Sequence, residues 1–145
     1  MSTVTVTHRY AHAAETVFDA WLDPKTAGRF LFATAAGTMV RAEIDPRVGG
    51  RFVFTDRRPP MEGFDGGDVE HVGQYLEIER PRRLVFSFAV PAYSQEVTTV
   101  TLDIAPDGAG SCVLTLTHEG VLEEWARQTE QGWTTILDGL EAALA

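Results

Sequence analysis

The sequence predicts an α+β domain built from a seven-stranded, curved antiparallel sheet, two short helices near the N-terminus and one long C-terminal helix. Three observations carry that prediction. Apolar residues alternate with a period of two over most of the chain between Met39 and His118. The breaks between alternating runs are short and rich in Pro and Gly, which suits hairpins rather than crossovers. The final stretch, Leu122 to Leu144, changes to a spacing of three and four.

Thr3 to Tyr10 sets Val4, Val6 and His8 against Thr3, Thr5 and Thr7 and reads as a strand. In Ala13 to Leu22 the period lengthens, with Val17, Phe18, Trp21 and Leu22 on one helical stripe. Asp23-Pro24 follows, an N-cap and a first-position proline, so a second short helix should run from there towards Arg29 or Phe32. Period two returns in Met39 to Asp45 and Arg51 to Asp56, joined by the turn Asp45 to Gly50. Arg57 to Asp68, full of Pro, Gly and charge, reads as an exposed loop that could edge a cavity mouth. His71 to Glu79, Leu84 to Val90, Gln95 to Ile104 and Ser111 to His118 complete the strands, broken at Arg80-Pro81, Pro91-Ala92 and Pro106 to Gly110. In the last helix, Trp125, Thr129, Trp133, Ile136, Leu137, Leu140 and Leu144 form one stripe and Glu123, Glu124, Arg127, Glu130, Gln131 and Asp138 the other side. A sheet with one apolar face needs a cover, and this helix has the matching stripe.

The chain is long enough for one domain, 1–145, and its apolar fraction of 44% is ordinary for a globular protein. The formal net charge of −9 repels phosphate backbones and anionic lipid, so neither nucleic acid nor a membrane is an expected partner. Arg57-Arg58 and Arg80 to Arg83 are short basic runs broken by proline and read as solvated turns. Cys112 is the single cysteine, which excludes an intrachain disulfide and a thiolate metal cluster; within an apolar strand it serves as a small hydrophobe. Met1 to Tyr10 lacks the basic start and apolar stretch of a signal peptide, and no run reaches the ~18 apolar residues of a span, so a cytoplasmic location is expected.

Five stretches, in order, resemble the signature of the homologues of the Hsp90 ATPase activator, a branch of the START/Bet v 1-like superfamily. They are VFDAWLDP at Val17 to Pro24, DPRVGGRF at Asp45 to Phe52, GQYLEIERPRRLVF at Gly73 to Phe86, LTLTHEG at Leu114 to Gly120, and Gly132-Trp133. The resemblance implies the helix-grip fold, in which the long helix lies across the curved sheet. Physically, Val48-Gly49-Gly50 permits a turn that a side chain would obstruct, and Gly132-Trp133 is expected where the helix comes close to the sheet. One departure stands out. Where the family commonly has a tryptophan pair in the second helix, this chain has Arg29-Phe30-Leu31-Phe32, so a relative's ligand does not transfer.

A helix gripping a sheet leaves room for a cavity, whose candidate lining is Trp21, Phe30, Phe32, Phe52, Phe54, Tyr75, Phe86, Phe88, Trp125 and Trp133. Singly, each of these aromatics reads better as core filling; together, in this architecture, they favour a pocket. Asp56 shares a strand face with Phe52 and Phe54 and is a candidate polar contact for a ligand, although at the end of its strand it reads first as a solvated aspartate; His71 shares a face with Tyr75 and is a second candidate. His118, level with Leu114 and Leu116, reads as a structural hydrogen-bonding group. His8 and His12 have the spacing of helical metal ligands but lie on a strand and its exit, and no His-Glu-x-x-His helix, phosphate loop, Gly-x-Ser-x-Gly elbow or dinucleotide fingerprint occurs. No metal and no cofactor is expected. The leading expectation is therefore a binding protein for a small, largely apolar molecule, with no catalytic residue assigned. The fold's polyketide cyclases and aromatases supply an enzymatic alternative, with Asp56, His71, Tyr75 and His118 as acid–base groups. An Hsp90-type chaperone is a partner by family analogy only, and a homodimer is compatible with the sequence.

Overall fold

The alternation seen in the sequence becomes a sheet with one face turned to helices and one to solvent, in a computed structural model that describes residues 1–32, 37–60 and 66–144. The strands are β1 (Ser2–Tyr10), β2 (Thr38–Ile44), β3 (Arg51–Arg58), β4 (Gly67–Glu79), β5 (Arg83–Phe88), β6 (Thr98–Pro106) and β7 (Cys112–Val121). The helices are α1 (Ala14–Ala20), α2 (Pro24–Phe30) and α3 (Ala126–Leu144), the last entered through a 3₁₀ turn over Glu123–Trp125. The seven strands order as β1-β7-β6-β5-β4-β3-β2, all neighbours antiparallel. Each consecutive pair from β2 to β7 is a hairpin, and β1 returns to pair with β7.

The helical corner forms as its sequence dictates. The Asp23 carboxylate accepts from the Lys25 backbone N–H at 3.2 Å and from Thr26 Oγ1 at 2.8 Å, while Pro24 opens α2. Register shifts between Met39 and Arg41 in β2 and between Tyr75 and Glu77 in β4 mark bulges, which locally bend and twist a strand. At Gly73 the bend is tight. A Cβ there would stand 1.9 Å from the Ser87 carbonyl oxygen and 2.5 Å from the Phe52 ring, so only glycine fits. Gly49, at φ +86°, makes the β2–β3 turn, and a Cβ on Gly50 would meet the Asp45 carbonyl oxygen at 2.2 Å.

Inner-face residues Leu84, Phe86, Val100, Leu102, Ile104, Leu114 and Leu116 join Phe18, Trp21, Phe30, Trp133, Leu137 and Leu140 in one core. Two polar bonds fix α3 over the sheet. Tyr10 Oη donates to the Leu137 carbonyl at 2.8 Å, and Trp133 Nε1 donates to His118 Nδ1 at 2.9 Å. His8 Nε2 adds a third approach, 3.3 Å from Asp138 Oδ1.

Several boundaries differ from expectation. β3 runs on to Arg58 and β4 begins at Gly67, so the ends of the expected loop are strand: Arg57 pairs with Asp68 and Arg58 with Gly67 across the ladder, and an Arg57–Asp68 ion pair at 2.9 Å ties them. The rest of that loop, residues 61–65, lies outside the described residues. β6 starts at Thr98 rather than Gln95, and β5 stops at Phe88, with Ala89 bridging to Val72. Gly132 does not mark a close approach, because a Cβ there meets nothing within 4 Å; the glycine of α3 that faces a neighbour is Gly139, 3.5 Å from Phe30 Cβ. Among the described residues no helix is long and apolar enough to cross a membrane.

A candidate ligand cavity between the sheet and the long helix

Beyond the point where Trp133 meets His118, α3 and the sheet diverge and leave an open cavity of about 790 Å³. Its sheet side is made by Arg58 on β3, His71 on β4, Phe88 on β5 and His118 on β7, with Phe32 entering from the end of α2. Trp125, Gln128, Thr129, Gly132, Trp133 and Ile136 form the helix side, and Val90, Ala92 and Tyr93, following β5, form the rim. A smaller space of about 170 Å³ adjoins it and shares Phe88, Tyr93, His118, Trp125 and Thr129. The wall is mostly apolar with a few fixed polar groups, the usual make-up of a small-molecule site.

The aromatic wall is ordered by Phe32. Its ring is parallel within 6° to His71 at 4.6 Å and within 3° to Phe88 at 4.9 Å, and edge-on to Trp133 at 5.8 Å. Phe32 is also the one non-glycine residue at positive φ, 58°, among the described residues. A bulky side chain holds that left-handed backbone only where its surroundings over-determine it, and the ring contacts supply that constraint.

His118 is a bridge rather than a reactive group. An indole N–H only donates, so Nδ1 must accept from Trp133, and the neutral imidazole carries its proton on Nε2. Nε2–H then donates to Thr98 Oγ1 at 2.6 Å, and that hydroxyl donates to the Phe88 carbonyl at 3.1 Å. Burial pushes the His118 pKa down to about 4, so the neutral bridge persists at neutral pH.

Asp56 is fully buried, and the Arg58 guanidinium answers its charge with Nε at 2.7 Å and Nη2 at 3.4 Å. Arg58 Nη1 donates in turn to Tyr93 Oη at 2.8 Å. Arg58 is therefore not the solvated turn residue expected: it continues the inward parity of Phe52, Phe54 and Asp56, and its side chain is 17% exposed. His71 Nδ1 stands 3.2 Å from the Phe54 carbonyl and 3.7 Å from Asp56 Oδ1. Burial lowers the His71 pKa, and the neighbouring Asp56 only partly opposes that shift.

Of the residues singled out from sequence, Phe32, His71, Phe88, Trp125 and Trp133 come together on the cavity wall. Trp133 is 3% exposed, and Trp125, at 38%, stands at the mouth. Trp21, Phe30, Phe52, Phe54, Tyr75 and Phe86 lie in the packed core and do not reach the cavity. Trp21 meets Phe30 edge-on at 5.2 Å, and Phe52 packs edge-on against Phe86 at 5.3 Å. Tyr75 sits beside Phe52, and burial raises the pKa of its hydroxyl. Asp56 lies behind Arg58, in reach of His71. Arg58, Tyr93 and Gly132 are lining residues that the sequence reading did not single out for the site. Among the described residues no group of three or more His, Cys, Asp or Glu side chains is placed to hold a metal ion.

Comparison with known proteins agrees with this architecture. The profile of the family described as "Activator of Hsp90 ATPase homolog 1-like protein" matches residues 11–145. Among solved structures, a protein of Chromobacterium violaceum superposes with a TM-score of 0.79 at 22% identity, covering 98% of this chain and 96% of that one. A protein of Rhizobium loti gives 0.75 at 26% identity over 98% and 96%. An Hsp90 activator from Plasmodium falciparum gives 0.74 at 22% identity over 99% and 96%. No curated protein matches the chain by sequence.

Proposed function

We propose that this chain, which belongs to the Activator of Hsp90 ATPase homolog 1-like family, holds a small, largely apolar molecule in the cavity between its sheet and α3. The observation that carries the reading is the space itself: about 790 Å³ walled by Phe32, Phe88, Trp125, Trp133 and Ile136. Apolar walls that face water gain free energy when an apolar ligand covers them, at about 25 cal/mol per Å². The geometry favours holding over chemistry. Of the four acid–base candidates, Tyr75 is in the core, His118 has both ring nitrogens engaged, and Asp56 is closed off by Arg58. His71, the fourth, lies on the cavity wall with Nδ1 against the Phe54 carbonyl.

Native mass spectrometry of freshly purified protein tests the proposal, since a retained ligand adds mass that unfolding releases. A flat apolar probe, 2-methoxynaphthalene, provides a defined arm by calorimetry. Gly132→Leu projects a side chain into the open space beside Gly132 and should weaken that probe at least tenfold while the melting temperature holds or rises. No retained mass and no probe binding by the parent protein would remove the proposal. The family's description also suggests a chaperone co-regulator. That reading separates cleanly, because it requires the chain to change the ATPase rate of a purified Hsp90-type chaperone whether or not the cavity is filled.

A further inference from the structure

We infer that the molecule held in the cavity carries a compact quaternary ammonium group, which sits in the smaller side chamber beside Trp125, Tyr93 and Glu96. This inference rests on the cavity reading above and assigns the charge of the ligand and the place of its head group.

The chamber of about 170 Å³ is continuous with the main cavity, sharing Phe88, Tyr93, His118, Trp125 and Thr129 with it. An apolar body in the larger space can therefore extend a small group into the chamber. The two spaces differ in charge. Among the described residues, Arg58 is the one charged residue lining the main cavity, and the buried Asp56 carboxylate answers it at 2.7 Å. Glu96 is the one charged residue lining the chamber, and its carboxylate has no ion-pair partner among the described residues. Only its backbone N–H is tied, to Ser94 Oγ at 3.1 Å. His118 also lines the chamber, but as a neutral bridge with both ring nitrogens bonded. A cationic group thus meets one unanswered negative charge on the chamber wall, and an anionic group meets repulsion.

The rings and carbonyls specify the kind of cation. The ring contacts of the aromatic wall run among Phe32, Phe88, His118 and Trp133, and Trp125 takes part in none of them among the described residues. Its indole is left to water or to a ligand, and tryptophan is the ring that attracts a cation best. Tyr93 already has a cation over its ring from the main-cavity side, with the Arg58 guanidinium carbon 6.0 Å from the centroid. A primary ammonium would bring three N–H groups that need acceptors. The carbonyls of Phe88, Val90 and Leu122 on the chamber wall already accept, from Thr98 Oγ1, from the Tyr93 and Ser94 N–H groups, and from the Trp125 N–H. A quaternary ammonium has no N–H to satisfy, so π faces and one carboxylate suffice to hold it.

The test compares (naphthalen-2-ylmethyl)trimethylammonium with 2-neopentylnaphthalene, its neutral carbon isostere, by competition calorimetry against 2-methoxynaphthalene on the full chain. Salt at about 0.15 M screens charges beyond roughly 8 Å. The parent protein should bind the cation about tenfold more tightly than the isostere. In Glu96→Gln and in Trp125→Leu that preference should fall to about threefold or less, and in the double variant to near one. Equal affinities in the parent protein, or tighter binding of the isostere, overturn the inference without needing any variant. So does binding of 2-methoxynaphthalene with binding of neither naphthylmethyl probe. A tenfold preference that survives in the double variant, with folding checked by circular dichroism, belongs to the net charge of −9 rather than to the chamber and overturns it too. If the parent protein binds none of the three probes, the cavity reading itself falls, so the two failures are distinct.

Discussion

Acidification should weaken this fold through His118 before its carboxylates titrate, and the effect can be sized. The unfolded chain takes up a proton at this residue near the ordinary histidine pKa of 6.5, whereas in the native chain burial pushes it down to about 4. A native pKa below the unfolded one means that the stabilisation is fully present above pH 6.5 and is lost as pH falls towards 4. At 1.36 kcal/mol per unit, moving from pH 7 to pH 4.5 should cost roughly 2 to 3 kcal/mol from this residue alone. The mechanism is concrete: protonation at Nδ1 would turn the acceptor towards Trp133 into a second donor facing the indole N–H. The assay is urea denaturation at half-unit pH steps on the parent chain and on His118→Asn, whose carbonyl keeps an acceptor for Trp133 but cannot charge. His71, also lowered by burial, is present in both proteins and cancels in the difference. Asp19 and Asp68, held low by Arg80 and Arg57, act only at more acid pH. Equal losses in the two proteins between pH 6.5 and 4.5 would refute the reasoning.

Other perturbations have equally definite outcomes. Arg58→Leu strands the fully buried Asp56 carboxylate and should cost about 3 to 5 kcal/mol by urea denaturation; adding Asp56→Asn should recover a large part of that, because the charge that needed a partner is gone. Gly73→Ala forces a Cβ to within 1.9 Å of the Ser87 carbonyl oxygen and should abolish a cooperative thermal transition at ambient temperature. Gly132→Ala, whose Cβ meets nothing within 4 Å in mid-helix, should instead raise stability by about 0.5 to 1 kcal/mol. Tyr10→Phe removes the bond to the Leu137 carbonyl and should cost about 1 kcal/mol.

Element type and order were legible because period and turn chemistry are local signals. The Asp23-Pro24 corner, the hairpins and the stripe of α3 each announce themselves within a few residues. The site was legible in part, for a physical reason: alternation along a strand reports which face a residue occupies but not how far along the strand the covering helix stays close. Phe86 and Phe88 share a face of β5, yet Phe86 is in the packed core and Phe88 on the cavity wall. The same divide separates Tyr75 from His71 on β4. Which side of it a residue falls on depends on the tilt of α3, set by contacts remote in sequence. Arg58 had a usable signal, the continued parity from Phe52 through Asp56, but Arg57 beside it and Pro59-Pro60 after it mimic a solvated turn. Tyr93 had none, since a lone aromatic after β5 gains its role only when Arg58 reaches its hydroxyl. For Gly132, the local cue pointed to close packing, and the helix diverges there instead.

Why the cavity does not collapse follows from how α3 is held. Apolar walls left facing water carry a free-energy cost that grows with their area, so the helix would gain by settling onto β4 and β5. Settling would require giving up directed bonds at fixed lengths. Tyr10 fixes the helix backbone at Leu137, and Trp133 fixes it through His118, Thr98 and the Phe88 carbonyl, a chain that spans β7, β6 and β5. Each of these groups is buried or half-buried, so each broken bond would leave a donor or acceptor without water to replace its partner. Phe32 holds the opposite wall in a left-handed backbone that its ring contacts alone make tolerable. A filled cavity would relieve the gap without breaking any of these bonds, whereas collapse would break several. The polar anchors that specify the fold are thus also what keep the space open.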